Sequence, residues 1–597
     1  MKRKVLAILL ASAMAFGLAS CDSGSSKPET TTKAAAEKND DATESEKKEE
    51  AADTGEDTKT SASSNEDVVE LEVLSLPANS SGVLEGWWAD EVEKAVGVRL
   101  NLIPSGDQGE QKLQALMASG DLPDIVVFKD HKQLMNAVEA NMLLSYDDYK
   151  DQLPNLYNNA PISLQYHADN LSAGQDKPFA VSVKVKTDLE SKGDMGPYIR
   201  YDLYKEVGAP EIKDLDDLLD VLEKMQESNP ENEDGQKVYS LSFWKDWDRA
   251  YMTLGMFTGP TIGAKIPDEA SLAEIHYADG KKDEIVSILS EGSAYLKFLK
   301  FSFEANQRGL LDPDSISQRF DDAVEKTKSG RVLLTLDGWG ATDFSTVERE
   351  NEGVGFRPIL MTGSQRLMGA LKPVGDPWSI SVSASTNYAD EAMAFVNWHY
   401  SYDGARTRMN GPKGVMWDVD ETGKPYLTER YYEYQLTPDE DFTPGRNYAK
   451  GSSQLNAQAF WGSTIDPETG WALDKVFWEK PSYAPPLTKL KEEWKEDHDG
   501  AEDLVSYMQQ DESRYRVETI GIYPSLTDEM EKISARAGDI IKTISWKMVF
   551  AKDEAEYNSL LEQMISDTNE VGIQDFVDWY AGEYEKNVAD AEKYAIK

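Results

Sequence analysis

Residues Lys112 to Phe128, KLQALMASGDLPDIVVF, constrain the fold more than any other stretch. Leu113, Leu116 and Met117 recur at helical spacing, so one helix face is apolar. Gly120 can take the left-handed conformation that ends a helix, and Pro123 cannot continue one. Ile125 to Phe128 is then a short apolar run of the kind that lies inside a parallel sheet. The strand's end, Lys129-Asp130-His131, falls in a loop. In open α/β sheets ligands bind outside the carboxyl ends of the strands.

The flanking segments repeat the pattern. Val68 to Leu76 reads as a strand, Trp87 onward as a helix, and Val98 to Ile103 as a second strand. This alternation predicts an α/β fold with a doubly wound sheet. The chain has 597 residues, enough for two large lobes. Its formal net charge of −46 excludes nucleic acid as a partner, because phosphate backbones require a cationic surface. The same argument excludes an anionic membrane surface. One cysteine rules out an internal disulfide framework.

That cysteine sits at the end of a targeting segment. Lys2, Arg3 and Lys4 make a positive start. Val5 to Leu18 is an apolar core shorter than a usual spanning helix. Leu18-Ala19-Ser20-Cys21 closes it and resembles a lipobox, which implies a thioether-linked diacylglycerol on Cys21. From Asp22 to Asp67 there is no Leu, Ile, Val, Met or aromatic residue. Such a segment cannot bury enough apolar surface to offset its ordering entropy and is expected to act as a disordered tether.

A helix followed by ASGDLPDIV resembles the extracellular solute-binding proteins of ABC importers, closest to the large carbohydrate-type lipoproteins of Gram-positive bacteria. Further segments carry the same resemblance. Pro197 to Leu203 resembles an aromatic-x-Arg-x-Asp element that enters a second lobe, and Arg200 with Asp202 reads as a structural ion pair, an interlobe or ligand contact being the alternative. Val207-Gly208-Ala209-Pro210 leads to an acidic helix at Leu215, with Lys213-Asp214 where a Thr is usual, which implies a weakened cap. Asn410 to Trp417 resembles a Gly-x-x-Gly-Val-x-Trp loop, and Ile541 to Tyr594 a helical end that caps the lobes.

The resemblance implies a two-lobed, periplasmic-binding-protein-like fold of type II, with mixed sheets flanked by helices and a hinge between lobes. The expected boundaries are a signal peptide over 1–20 and a tether over 21–67. Residues 68–180 and 374–410 are expected in the N-terminal lobe, 181–373 and 411–597 in the C-terminal lobe. The implied partners are an oligosaccharide ligand and the transmembrane subunits of an ABC permease. The chain is expected to be a monomer held at the extracellular face of the cell membrane by its lipid alone, with no cofactor.

Ligand candidates follow from the chemistry of sugars. A pyranose presents an apolar face that an aromatic ring can cover and a hydroxyl rim that carboxylates can bind. Trp339 lies between two glycines after Asp337 at a strand's carboxyl end. Trp244 and Asp246 end another strand, although a buried tryptophan pair explains Trp244 equally. Trp87 follows the first strand–helix loop, where packing on the sheet is the alternative. Asp130, Trp378, Trp461 and Trp417 complete the set.

Five histidines occur, none spaced with another His or Cys as metal ligands are. Asp418, Asp420 and Gly423 faintly resemble a calcium loop, but a surface hairpin explains them better. No Walker loop, HExxH, GxSxG or dinucleotide fingerprint is present. The sequence therefore reads as a binding protein without chemistry. The alternatives are a secreted glycan-acting enzyme, or the same fold binding a peptide or another small polar solute.

Overall fold

Three parallel strands found the first sheet. Val69–Ser75 lies between Val98–Leu102 and Ile125–Phe128, in register Val69 with Val98 and Val73 with Ile125. All four residues of Ile125–Phe128 are buried, as a strand covered on both faces requires. In Val98–Leu102 burial alternates, so that strand covers one face only. Ser379–Val382 adds antiparallel to Ile125–Phe128, and Val181–Ser182 adds antiparallel to it in turn. Gly82–Val83 closes the other edge. The sheet is therefore mixed, with three parallel strands at its centre.

Helix Trp87–Val96 covers one face of this sheet. Its Trp88 meets Phe395 edge-on at 6.4 Å, on helix Ala389–His399.

The computed structural model describes residues 68–594, apart from 79, 105–108, 188–194, 246–254, 256, 257, 269, 278–282, 438, 449, 450 and 520–522. The expected signal peptide, with Cys21, and the tether lie outside the described residues.

A second core is built around Met195–Arg200, which pairs antiparallel with Leu334–Asp337 and Phe356–Pro358. Helix Leu215–Ser228 buries Leu218, Leu219, Val221, Leu222 and Met225 against it. Asp214 caps that helix, accepting from the backbone N–H groups of Asp216 and Asp217 at 3.0 Å. The cap is therefore sound, not weakened by the missing threonine, because aspartate is itself a strong N-cap. Helices Asp528–Val549, Glu554–Glu570 and Ile573–Tyr594 complete this core, with Phe576, Tyr580 and Tyr584 buried. Arg200 and Asp202 form the expected ion pair, bonded at 3.0 and 2.6 Å.

The connection between the cores departs from a simple strand. Lys184 takes a positive φ of 55°, which ends the ladder after Val181–Ser182. Beyond that break the backbone N–H groups of Lys184 and Val185 donate to Gln458 and Ala459 at 2.7 and 2.9 Å. Lys186 and Lys372 exchange two backbone hydrogen bonds of 3.0 Å.

Residues after 411 divide between the cores instead of all joining the second. Leu455, Ala457, Phe460 and Leu473 pack in the first core, while Leu490 and Trp494 pack in the second. The hairpin Trp417–Val419 with Pro425–Leu427 and helix Glu429–Leu436 form a small cluster of their own.

Candidate functional site

Strand registers decide which side chains share the carboxyl edge of the first sheet. Ser379 pairs with Phe128 and with Ser182. The start of the antiparallel strand Ser379–Val382 and the end of Val181–Ser182 therefore lie beside the carboxyl end of Ile125–Phe128. Trp378, Lys184 and Asp130 follow from that placement. Leu455 and Asn456 join the same edge. Ser75 Oγ donates to the Leu455 carbonyl at 2.7 Å, and Asn456 Nδ2 donates to the Pro77 carbonyl at 2.6 Å.

Two of the expected tryptophans meet there. The Lys184 ammonium lies 4.1 Å from the centre of the Trp378 ring and 5.8 Å from that of Trp461. Trp461 is 38% exposed, the most open tryptophan among the described side chains. Its backbone N–H donates to Val185 at 2.9 Å, which fixes the ring's base to the crossing.

Lys184 also pairs with Asp376 at 3.4 Å, and Lys372 donates to the other oxygen of that carboxylate at 2.7 Å. Burial pushes the Asp376 carboxyl up, but Lys372 and Lys184 outweigh it and hold the group below the usual aspartate value. Burial likewise pulls Lys372 down, and Asp376 more than restores it. The crossing thus carries an ionised trio beside two indole faces.

Asp130 has a structural duty. Its carboxylate accepts from the Gln133 N–H at 2.8 Å and caps helix His131–Glu139. Next to it, elements of the second core approach. His131 Nδ1 lies 3.4 Å from Ser525 Oγ, and Lys132 pairs with Glu531 at 2.7 Å and with Asp528. At the far end of the same face, Lys593 and the Tyr594 hydroxyl both reach Asp169, at 2.7 and 2.8 Å.

The other expected residues lie apart from this edge or outside the described side chains. Trp417 is fully buried, donates through Nε1 to the Gly411 carbonyl at 2.9 Å and packs on Trp478. It is a packing residue, because no ring face remains for a ligand. Trp87 is 4% exposed and stacks on Tyr448 at 6.4 Å, so packing accounts for it too. Trp244 is buried edge-on against Phe320 at 5.0 Å, so packing accounts for it. Asp246 lies outside the described residues. The backbone puts Asp337 at the end of strand Leu334–Asp337 and Trp339 in the short helix Gly338–Thr342, not in an open loop; their side chains are not described.

Sequence reasoning missed Lys184 and Lys372. The available signal was a run of lysines on one crossing segment, Lys184 and Lys186, in a chain otherwise dominated by acidic residues. Among the described residues no group of three or more His, Cys, Asp and Glu is placed to hold a metal ion. Nor is any described helix long and apolar enough to cross a membrane. Asp420 accepts from the Thr422 and Lys424 N–H groups at 2.8 and 3.1 Å, closing the hairpin turn.

The family described as bacterial extracellular solute-binding protein matches residues 87–414. No curated protein matches in sequence. Solved structures match the fold across nearly their whole length. The ABC-transporter substrate binding protein FusA of S. pneumoniae, in complex with kestose, has a TM-score of 0.58 at 16% identity; 88% of this chain and 100% of that one align. The HMO-binding solute binding protein of Bifidobacterium longum infantis gives 0.57 at 14% identity, covering 87% and 99%. The alginate-binding protein AlgQ2 gives 0.56 at 15% identity, covering 87% and 98%. At these identities the likeness establishes the shared two-lobed fold.

Proposed function

The chain belongs to the bacterial extracellular solute-binding family, and from that premise we propose that it captures a carbohydrate or oligosaccharide between its two cores and delivers it to the permease of an ABC importer. The observation that carries the carbohydrate reading is exposed Trp461 beside the Lys184 ammonium at the carboxyl edge of the first sheet. An indole face covers the C–H face of a pyranose, and adjacent charged groups bind its hydroxyl rim. The sugar-binding proteins of the same fold lend support.

The two cores are the two lobes of this reading, and they close by hinge motion about the crossing segments. The Lys132 and Asp169 contacts join segments of the two cores and would break on opening. The protein performs no chemistry on its ligand, works as a monomer and needs no cofactor. Cys21, lipidated after removal of residues 1–20, anchors it at the extracellular face of the cell membrane.

Thermal unfolding of the chain against a panel of oligosaccharides and peptides tests the reading. A ligand that binds only the folded state raises the midpoint by mass action. A shift with one glycan class, recovered undegraded, is the expected result. Cleavage of the glycan would instead make the protein an enzyme, and a shift with peptides alone would change the ligand class.

A further inference from the structure

The charge at the crossing sets the tryptophan edge apart from the rest of the molecule. The chain as a whole carries −46, yet here two ammonium groups share one carboxylate. Lys372 makes the shorter contact with Asp376, at 2.7 Å against 3.4 Å for Lys184. Among the described residues, Glu518 also acts on Lys372, and it is itself paired with Lys265 at 3.0 Å. The trio Lys184, Asp376 and Lys372 therefore keeps one unit of positive charge.

The geometry says where that charge is presented. The Lys184 ammonium covers the Trp378 ring at 4.1 Å, so Trp378 does not offer that face to a sugar. The same ammonium lies over Trp461 too, but farther off, 5.8 Å from the ring centre, and that ring stays 38% exposed. A pyranose stacked on Trp461 thus brings its rim toward Lys184. An ammonium has three donors, and a partly desolvated charge is worth more than one in water. A rim that carries its own negative charge completes the trio to neutrality; a neutral hydroxyl does not.

Resting on the carbohydrate reading above, we propose that the ligand is an acidic saccharide, whose carboxylate or sulfate pairs with Lys184 while the ring that bears it stacks on Trp461. Lys184 is then the specificity-determining residue, and Asp376 with Lys372 positions it. The cation–π contact with Trp378 holds the ammonium in place before the ligand arrives.

The test is a calorimetric titration of the full chain, kept in mild detergent, with probes matched in size and linkage. The pairs are trigalacturonate with galactotriose, and 3′-sialyllactose with lactose. The acidic member of at least one pair is expected to bind at least tenfold tighter than its neutral partner. That preference should shrink as salt rises, since screening weakens a partly exposed ion pair. It should vanish in Lys184→Met, which keeps the stem and removes the charge, and persist in Lys184→Arg.

Equal or tighter binding of the neutral member overturns the acidic proposal and leaves the carbohydrate reading standing. So does an acidic preference that survives Lys184→Met. Silence from all four probes, with a peptide binding in their place, overturns both. If Lys184→Met does not fold, the Lys184→Arg variant and the salt series still decide, because a preference insensitive to salt refutes the ion pair.

Discussion

Two of the candidate tryptophans have opposite fates, and each fate has a local cause. Trp417 follows Gly411 by one turn of chain, close enough for its indole N–H to reach that carbonyl at 2.9 Å, and the ring is sealed by Trp478 and the hairpin. Trp417→Ala is expected to destabilise the fold by about 3–5 kcal/mol, the usual cost of emptying a large buried site. Chemical denaturation would measure it, and ligand affinity in the surviving folded fraction should stay unchanged. Trp461 is the opposite case. Its side chain is open, so Trp461→Ala should leave the unfolding midpoint nearly unmoved. Its expected effect is on binding, roughly tenfold weaker for about 1.4 kcal/mol of lost stacking and burial. A titration and a melt on the same two variants separate the roles; a Trp461→Ala variant with undiminished affinity would remove this residue from the site.

At the scale of elements, the crossing segments carry the most constraint per residue. Gly375 holds φ at +88°, and an added Cβ would stand 2.5 Å from Ser182 Cβ and 2.6 Å from the Val183 carbonyl. Backbone on both sides leaves nothing to yield. Gly375→Ala is expected to cost about 1–3 kcal/mol and to displace the adjacent Asp376 from its lysines. Gly423 gives the control: φ is +83° but nothing lies within 4 Å. Its alanine variant should pay only the left-handed backbone term, about 1 kcal/mol. Equal costs in urea melts would mean that the close approach at Gly375 relaxes.

The same segments mark the limit of what the sequence discloses. Strand Ile125–Phe128 was legible to the residue, because an apolar run between Pro123 and a polar loop has no other stable use. The last two helices were legible because their apolar spacing is regular, whereas only the end of Asp528–Val549, from Ile541, was read as helical. The break at Lys184 was not, since a positive φ at a lysine is imposed by the pairing with Gln458 and Ala459, far away in sequence. For that reason the lysine at the candidate site was missed while both tryptophans beside it were named. Conversely, Trp417 and Trp87 look like ligand platforms in sequence because motif position says nothing about what later segments will cover.

At the scale of the whole molecule, part of the response to pH follows from a buried histidine of the first core. His399, 3% exposed on helix Ala389–His399, bonds through Nε2 to the Ala457 carbonyl at 2.6 Å and so ties that helix to the returning chain. Burial first, and Arg408 second, lower its pKa from 6.5 to about 4. The folded state therefore resists a proton that the unfolded chain accepts. Between pH 6.5 and about 4 the unfolded state binds more protons, so stability rises with pH across that window. The contribution is complete above pH 6.5 and is lost as the solution is acidified. For these two pKa values the loss at pH 5 is about 2 kcal/mol relative to pH 7.5. His399→Gln keeps a donor for Ala457 and removes the titration. Its stability deficit relative to the parent should therefore narrow by about 2 kcal/mol between pH 7.5 and pH 5. Urea unfolding of both proteins at the two pH values gives the four numbers required. A deficit that stays constant would mean that His399 titrates alike in both states, leaving the acid response to the fold's other titrating groups, buried His131 and His167 among them.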